Sequence, residues 1–129
     1  MKAFLAACAA AIVIAVGALA IYLTELTSNT ATASMLLPIV ASLAVGAGIH
    51  PYGPMFAAAV GASFAFMLPV ATPPNAIVYA SGAVSVPQMA RAGFWLNLIG
   101  LFALTLAVAW LLPWVWGVDP GTLPPGFAN

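Results

Sequence analysis

Charged residues are almost absent from this sequence. Only 3% of its 129 residues are Asp, Glu, Lys or Arg, and the formal net charge is zero. A soluble domain carries about 25% charged residues, so this chain has too few to cover the surface of a soluble fold. Because 65% of the residues are hydrophobic, the composition indicates an integral membrane protein in a lipid bilayer. The scarcity of basic residues also excludes the positive surface that nucleic-acid binding needs, so we expect no nucleic-acid partner.

Residues that support covalent catalysis and metal binding are equally scarce. Cys8 and His50 are the single cysteine and the single histidine, and Glu25 and Asp119 are the two acidic residues. No nucleophile and base stand in a pattern typical of an active site, and no Cys/His cluster offers a metal site. We therefore expect neither an enzyme nor an organic cofactor.

The hydrophobic runs predict an all-α membrane protein of uneven construction. Residues 92–116 form one full transmembrane helix, since about 20 residues are needed to cross hydrocarbon. Residues 55–80 predict one discontinuous transmembrane helix, interrupted around a Thr-Pro-Pro sequence. Residues 4–48 predict two helices that meet at a polar stretch, and residues 117–129 predict a loose Pro/Gly-rich tail.

The polar stretch, residues 24–32, lies in the middle of the first apolar tract. Its sequence, TELTSNTAT, brings five hydroxyls, one amide and one carboxyl into a region where an unpaired polar group is costly. Two arrangements fit this pattern. One is a re-entrant helical hairpin with the polar stretch at mid-depth, and the other is a pair of ordinary spans joined by a polar loop outside the membrane. Hydropathy does not separate them.

Both interruptions carry residues that begin helices. Ser28, Asn29 and Thr30 are preferred N-cap residues, whereas Thr72 can cap and Pro73 suits the first helical position. We expect each break to present a helix N-terminus with free N–H donors, and two such ends could hold a carboxylate without Arg or Lys.

The preceding helix ends would offer the opposite chemistry. Their last carbonyls, at about residues 24–27 and 70–71, are free acceptors that suit a hard cation such as Na⁺. Discontinuous helices near the bilayer midplane are a recurring binding device of secondary transporters. The two breaks together therefore favour a transport site.

Glu25 and Arg91 are the two charged residues that bear on mechanism and orientation. Glu25 has two interpretations: a proton or cation site, or a carboxyl that caps neighbouring amides or pairs within a larger protein. Arg91 begins the last span, and the positive-inside rule then places that end in the cytoplasm and the C-terminus outside.

The two breaks also resemble known motifs. The stretch TELTSNTAT, followed by Leu36-Leu37-Pro38-Ile39, resembles the second Ser-Asn-Thr motif of the divalent-anion:sodium symporter family. Residues 63–78, SFAFMLPVATPPNAIV, resemble the other long signature of that family. The resemblance covers about residues 5–116. It implies sodium-coupled symport of a small dianion, such as a C4-dicarboxylate, citrate or sulfate, and a re-entrant hairpin that opens to the outside.

The resemblance implies a site on both motifs. The residues that would line the substrate are Ser28, Asn29, Thr30, Thr72 and Pro73. The residues that would hold one Na⁺, the coupling ion, partly through backbone carbonyls, are Thr24, Thr27, Asn29 and Ala71.

The resemblance reaches only the second of the family's two inverted repeats. Residues 1–116 would then be the C-terminal half of a transport domain in a bacterial inner (plasma) membrane. The missing N-terminal half would be on the same or a separate chain, and the complete carrier would be a homodimer. Two alternatives remain: an inactive or accessory membrane fragment without transport of its own, and a proton-coupled or exchange carrier in which Glu25 titrates.

Overall fold

A computed structural model describes residues 1–127 of the chain, and the regular structure in this range is entirely helical. Its α-helices are α1 (Lys2–Thr24), α2 (Asn29–Gly46), α3 (Tyr52–Gly61), α4 (Pro73–Ala80) and α5 (Val86–Trp116), and a short 3-10 turn follows at Pro125–Phe127. The absence of strands from residues 1–127 confirms the prediction of an all-α fold. The helices long and apolar enough to cross a membrane are Ala3–Thr24, Asn29–Gly46 and Val86–Trp116, as expected of an integral membrane protein.

Helices α1 and α2 form an antiparallel hairpin. Ala9, near the start of α1, shares a buried cluster with Ala44, near the end of α2. Closer to the turn, Val16 of α1 and Leu36 of α2 both enter the main core. The two helices therefore run in opposite directions from a common tip, which residues 25–28 form.

Helix α3 lies at the centre of the fold and packs against α1, α2 and α5. Its buried residues are mostly small, which lets neighbouring backbones approach closely. A Cβ atom added to Gly61 would lie 3.1 Å from the carbonyl oxygen of Gly17 and 3.2 Å from the Cβ of Ala20. The contact between α1 and α3 thus depends on the missing side chain at residue 61.

A non-helical segment, residues 62–72, separates α3 from α4. The chain therefore interrupts its helix inside the region where the sequence predicts a discontinuous one. Helix α4 has no buried residues, so hydrophobic packing within this chain does little to hold it. The position of α4 depends instead on the segment that precedes it.

Helix α5 is longer than the predicted span, because it begins at Val86 rather than at residue 92. The Ser85 N–H donates to Gln88 Oε1 over 2.8 Å, and this capping box starts the helix early. One face of α5 is buried, and its members are Met89, Gly93, Asn97, Leu104, Val108 and Leu112. Their spacing of four or seven residues is that of a single helix face.

The segment after α5 turns back onto the helices. The Pro120 carbonyl accepts the His50 N–H over 3.2 Å, and Gly121 is buried close to the backbone of Ala6. The sequence predicts a loose tail over residues 117–129, of which residues 128 and 129 lie outside the described residues. His50 is itself buried, its Nδ1 accepts the Tyr52 N–H over 3.2 Å, and burial lowers the pKa of its side chain below the ordinary 6.5.

We predict that substitution of Gly61 by Leu destabilises the fold. The new side chain meets backbone of α1, and overpacking of this kind costs about 1–3 kcal/mol. The SDS concentration at the midpoint of unfolding should fall for this variant. Gly46→Leu is the matched control, since nothing lies within 4 Å of a Cβ added there. Equal midpoints for the two variants would contradict the close α1–α3 contact.

We also predict that acid destabilises the fold through the buried His50. Because the folded state lowers the pKa of His50, the unfolded state binds more protons near pH 6.5, and stability is lost as the pH falls below that value. The thermal unfolding midpoint should decrease between pH 7.5 and about pH 5.5. His50→Gln should flatten this dependence, whereas Asp119→Asn should leave it intact. If the unfolding midpoint of His50→Gln still decreases with pH in the same way, groups other than His50 cause the dependence.

Candidate functional site

The hairpin tip and the break between α3 and α4 meet at one open pocket. The hairpin contributes Leu26, Thr27, Ser28 and Asn29, and the break contributes Val70, Ala71, Thr72 and Pro73. The pocket volume is about 470 Å³, within the range of about 300–1,000 Å³ that is usual for ligand sites. Two segments more than forty residues apart in sequence therefore form opposite walls of one cavity.

Six of the eight residues singled out in the sequence lie on the pocket wall, namely Thr27, Ser28, Asn29, Ala71, Thr72 and Pro73. The other two lie outside it. Thr24 is fully buried behind the wall, where its Oγ1 is 2.6 Å from Asn29 Oδ1. Thr30 is exposed in the first turn of α2 and does not line the pocket.

The two helix N-termini at the pocket differ, although the sequence predicts free N–H donors at both. At α2 the N-cap Ser28 makes no side-chain hydrogen bond to the first turn, so the amides there remain free of a cap. At α4 the first two residues are prolines without an N–H, and the Asn75 N–H donates to Thr72 Oγ1 over 3.4 Å. The free donors expected at α4 are therefore reduced to the Thr72 N–H, which has no hydrogen-bond partner among residues 1–127, and α2 is the end with more amides to offer an anion.

Oxygen atoms are concentrated beside the hairpin tip. The Thr24 hydroxyl lies 2.6 Å from Asn29 Oδ1 and 2.7 Å from the Ala62 carbonyl oxygen, and its one hydrogen can serve only one of these acceptors. The prediction that residues 70–71 end a helix is wrong, because α3 ends at Gly61 and Ala71 lies in the non-helical segment. No backbone N–H within residues 1–127 nevertheless donates to the carbonyl of Thr27 or of Ala71. Such an excess of acceptors suits a hard cation, which prefers oxygen ligands.

Glu25 does not line the pocket, although it is part of the hairpin tip. Its side chain is only 3% exposed, and its carboxylate points into the segment between α3 and α4. Oε1 accepts the Phe66 and Met67 N–H groups over 2.9 and 3.0 Å, and Oε2 accepts those of Met67 and Leu68 over 3.1 and 3.2 Å. Asn97 of α5 adds a contact of 2.8 Å from Nδ2 to Oε1. Of the two interpretations of Glu25, this geometry matches a carboxyl that caps amides.

Three further residues hold the same segment, and the sequence reasoning missed them. Asn75 Nδ2 donates to the carbonyls of Ala65 and Leu68 over 2.8 and 3.0 Å. On α5, Gly93 leaves room for the segment, since a Cβ there would lie 2.4 Å from the Phe66 carbonyl oxygen. Asn97 could have been identified from the sequence, because an amide within an apolar span is costly unless it is paired.

Comparison with known proteins agrees with the two motifs. The family described as "Sodium:sulfate symporter transmembrane region" matches residues 1–118. The sodium-dependent dicarboxylate transporter SdcS of Staphylococcus saprophyticus is 49% identical over 108 residues, which are 84% of this chain and 21% of that protein. SdcS of Staphylococcus aureus strain MRSA252 is 54% identical over 96 residues, which are 74% of this chain and 18% of that protein. The chain thus matches about a fifth of the length of these relatives.

We predict that Gly93→Ala displaces the segment between α3 and α4. The added methyl group meets backbone atoms of Phe66 and Met67 rather than flexible side chains, so the segment has to move. A loss of about 1–3 kcal/mol is expected from overpacking, seen as a lower thermal unfolding midpoint in detergent. Gly46→Ala, at an open position, should leave the midpoint unchanged or raise it. An unchanged midpoint in Gly93→Ala would contradict the close contact between α5 and the segment that joins α3 to α4.

Proposed function

This chain belongs to the sodium:sulfate symporter family, and we propose that it forms the C-terminal half of a sodium-coupled carrier of small divalent anions. The observation that carries the proposal is the pocket shared by Asn29 and Thr72. Helix α2 begins there with free amides for an anion, and the carbonyls of Thr27 and Ala71, one from each segment, are free for a cation. This pairing is the chemistry that co-transport of an anion with Na⁺ requires.

In this proposal the anion binds on the pocket wall. Ser28 and Asn29 face it from the hairpin, together with the first amides of α2, where the helix dipole favours negative charge. Thr72 and Pro73 face it from the other wall, and the Thr72 hydroxyl keeps its hydrogen for the anion while accepting from Asn75. Thr30 is exposed beside the pocket, so its contact with substrate would come from the open side. A C4-dicarboxylate, citrate or sulfate has the charge that this wall suits.

We place the transported Na⁺ among the oxygens behind the same wall. Asn29 Oδ1 and Thr24 lie together there, and Thr27 and Ala71, whose carbonyls accept no backbone N–H, line the pocket. An oxygen-only donor set fits a hard cation, and its charge would offset that of the anion held by Asn29 on the other side. Binding of the two solutes is then mutually favourable, and no covalent step is needed.

The remaining parts of the proposal concern assembly and orientation. The hairpin is re-entrant with its tip at mid-depth, since a pocket lined by Ser28, Asn29 and Thr72 serves transport only if it is reached from both sides. The C-terminus lies outside a bacterial plasma membrane. An N-terminal half completes the open side of the pocket, and the complete carrier is a dimer. A proton-coupled cycle through Glu25 is less well supported, because that carboxylate is enclosed by N–H donors.

We predict that Asn29→Ala abolishes sodium-driven uptake. The assay uses a complete carrier in which this chain replaces the matching segment of S. aureus SdcS, reconstituted in liposomes. Asn29 is the residue whose side chain serves both solutes, so its loss should remove uptake of labelled dicarboxylate above the level measured with choline in place of Na⁺.

Ser42→Ala on the same helix is the matched control, because Ser42 is exposed and its hydroxyl donates to the Pro38 carbonyl, away from the pocket. It should transport normally. Uptake by Asn29→Ala equal to that of the unmodified carrier would remove the site assignment. Uptake that persists in choline and follows pH instead would favour the proton-coupled alternative. This chain reconstituted alone, without the rest of the SdcS sequence, should show no uptake.

A further inference from the structure

The Glu25 carboxylate joins three parts of the chain that are distant in sequence. It belongs to the hairpin tip, it accepts three successive N–H groups of the segment after α3, and it accepts Asn97 Nδ2 from the middle of α5. Four N–H donors make five contacts of 2.8 to 3.2 Å, because both carboxylate oxygens share the Met67 N–H, and four donors match the roughly four lone-pair sites of a carboxylate. Among the side-chain hydrogen bonds of residues 1–127, no other side chain joins these three elements.

The surroundings of Glu25 match an anchor rather than an ion carrier. Every polar atom that residues 1–127 place within hydrogen-bond distance of the carboxylate is an N–H donor. A cation at the carboxylate would be repelled by these donors. With 3% of the residue exposed, a cation has no open approach to it within this chain.

The orientation of Asn97 fits a contact with a charged carboxylate. Asn97 is 1% exposed, and its Oδ1 finds no hydrogen-bond partner among the described residues. A buried acceptor without a partner is unfavourable, yet rotating the amide would turn Oδ1 toward the negative carboxylate. The amide therefore donates to Glu25 at the expense of its own oxygen.

The segment that Glu25 holds leads directly into the pocket wall. Glu25 accepts its N–H groups, while Asn75 binds the carbonyls of Ala65 and Leu68 from α4. The Ala71 N–H then donates to the Leu68 carbonyl over 3.2 Å, so the position of Leu68 fixes that of Ala71. Ala71 and the next residue face the hairpin tip across the pocket.

We propose that Glu25, supported by Asn97, is a positioning residue that sets the distance between the two walls of the pocket. It holds the segment after α3 against the hairpin tip so that Ala71 and Thr72 stand opposite Ser28 and Asn29. It touches neither Na⁺ nor anion itself. This inference rests on the proposed function of the pocket, and it assigns to the single acidic residue of the hairpin a role in affinity rather than in proton coupling.

The first test measures the anchor directly by amide hydrogen exchange of this protein in lipid nanodiscs. Glu25→Gln keeps the size of the side chain but sets an NH₂ group against N–H donors, so exchange in peptides covering residues 63–70 should rise at least about tenfold. Asp119→Asn is the matched control, because Asp119 accepts only the Gly121 N–H within its own turn. Unchanged exchange in Glu25→Gln would overturn the proposal.

The second test uses uptake by the complete carrier. Displaced walls should raise both the half-saturating Na⁺ concentration and the substrate KM by about tenfold, while the maximal rate at saturation and its pH profile stay close to those of the unmodified carrier. A proton-carrying Glu25 would give the opposite result: a lost maximal rate and a lost pH dependence, with affinities unchanged. That outcome would also overturn the proposal.

Asn97→Ala keeps the proposal falsifiable if Glu25→Gln does not fold. It removes one of the four N–H donors to Glu25 and leaves the backbone donors in place, so amide exchange and the half-saturating Na⁺ concentration should each rise by about threefold. If neither the exchange nor the half-saturating Na⁺ concentration changes in Asn97→Ala, the proposed role of Glu25 is overturned. If the unmodified carrier shows no sodium-driven uptake, the proposed function fails, and the exchange experiment still decides whether Glu25 anchors the segment.

Discussion

A buried carboxylate stabilised by amide hydrogens is the interaction on which this structure depends. Backbone N–H groups and Asn97 bind Glu25, and of the basic side chains that the structure describes, neither Arg91 nor His50 hydrogen-bonds to it. A buried charge is tolerated only when hydrogen bonds replace its water shell. Because those bonds come from an unwound segment, the same contact explains why that segment has a defined shape without being a helix.

In the rest of the fold, the apolar helix contacts and the polar groups lie in different places. The packing is apolar and close, with α3 as the central element and small residues such as Gly61 at its contact with α1. The binding chemistry is confined to the hairpin tip and the break, where helices end and leave backbone groups unpaired. Helix α4 has no buried residue, so it is positioned by Asn75 and Thr72 rather than by a hydrophobic core.

The sequence predicts the helical class and both breaks because their signals are local. Apolar runs of sufficient length, N-cap residues at Ser28 and a Thr-Pro-Pro sequence at Thr72 are each readable within a few residues. The contact between Glu25 and Asn97 is not readable in this way, since 72 residues separate the two. The early start of α5 depends on Ser85 and Gln88. This signal is also local, but the prediction places the start of the helix at the apolar run that follows. The difference between the helix ends was readable from Pro73 and Pro74, which have no N–H to give.

That difference between the two helix ends has a consequence for selectivity. In the proposed carrier, a dianion in the pocket would meet several amides on the α2 side, whereas the start of α4 would offer it a hydroxyl, one N–H and a proline ring. The α2 side would then supply most of the attraction for negative charge, and the opposite side would discriminate by size and shape. Substitutions around Pro73 would accordingly change the size and shape of the anions that the pocket accepts. They would leave its preference for negative charge in place.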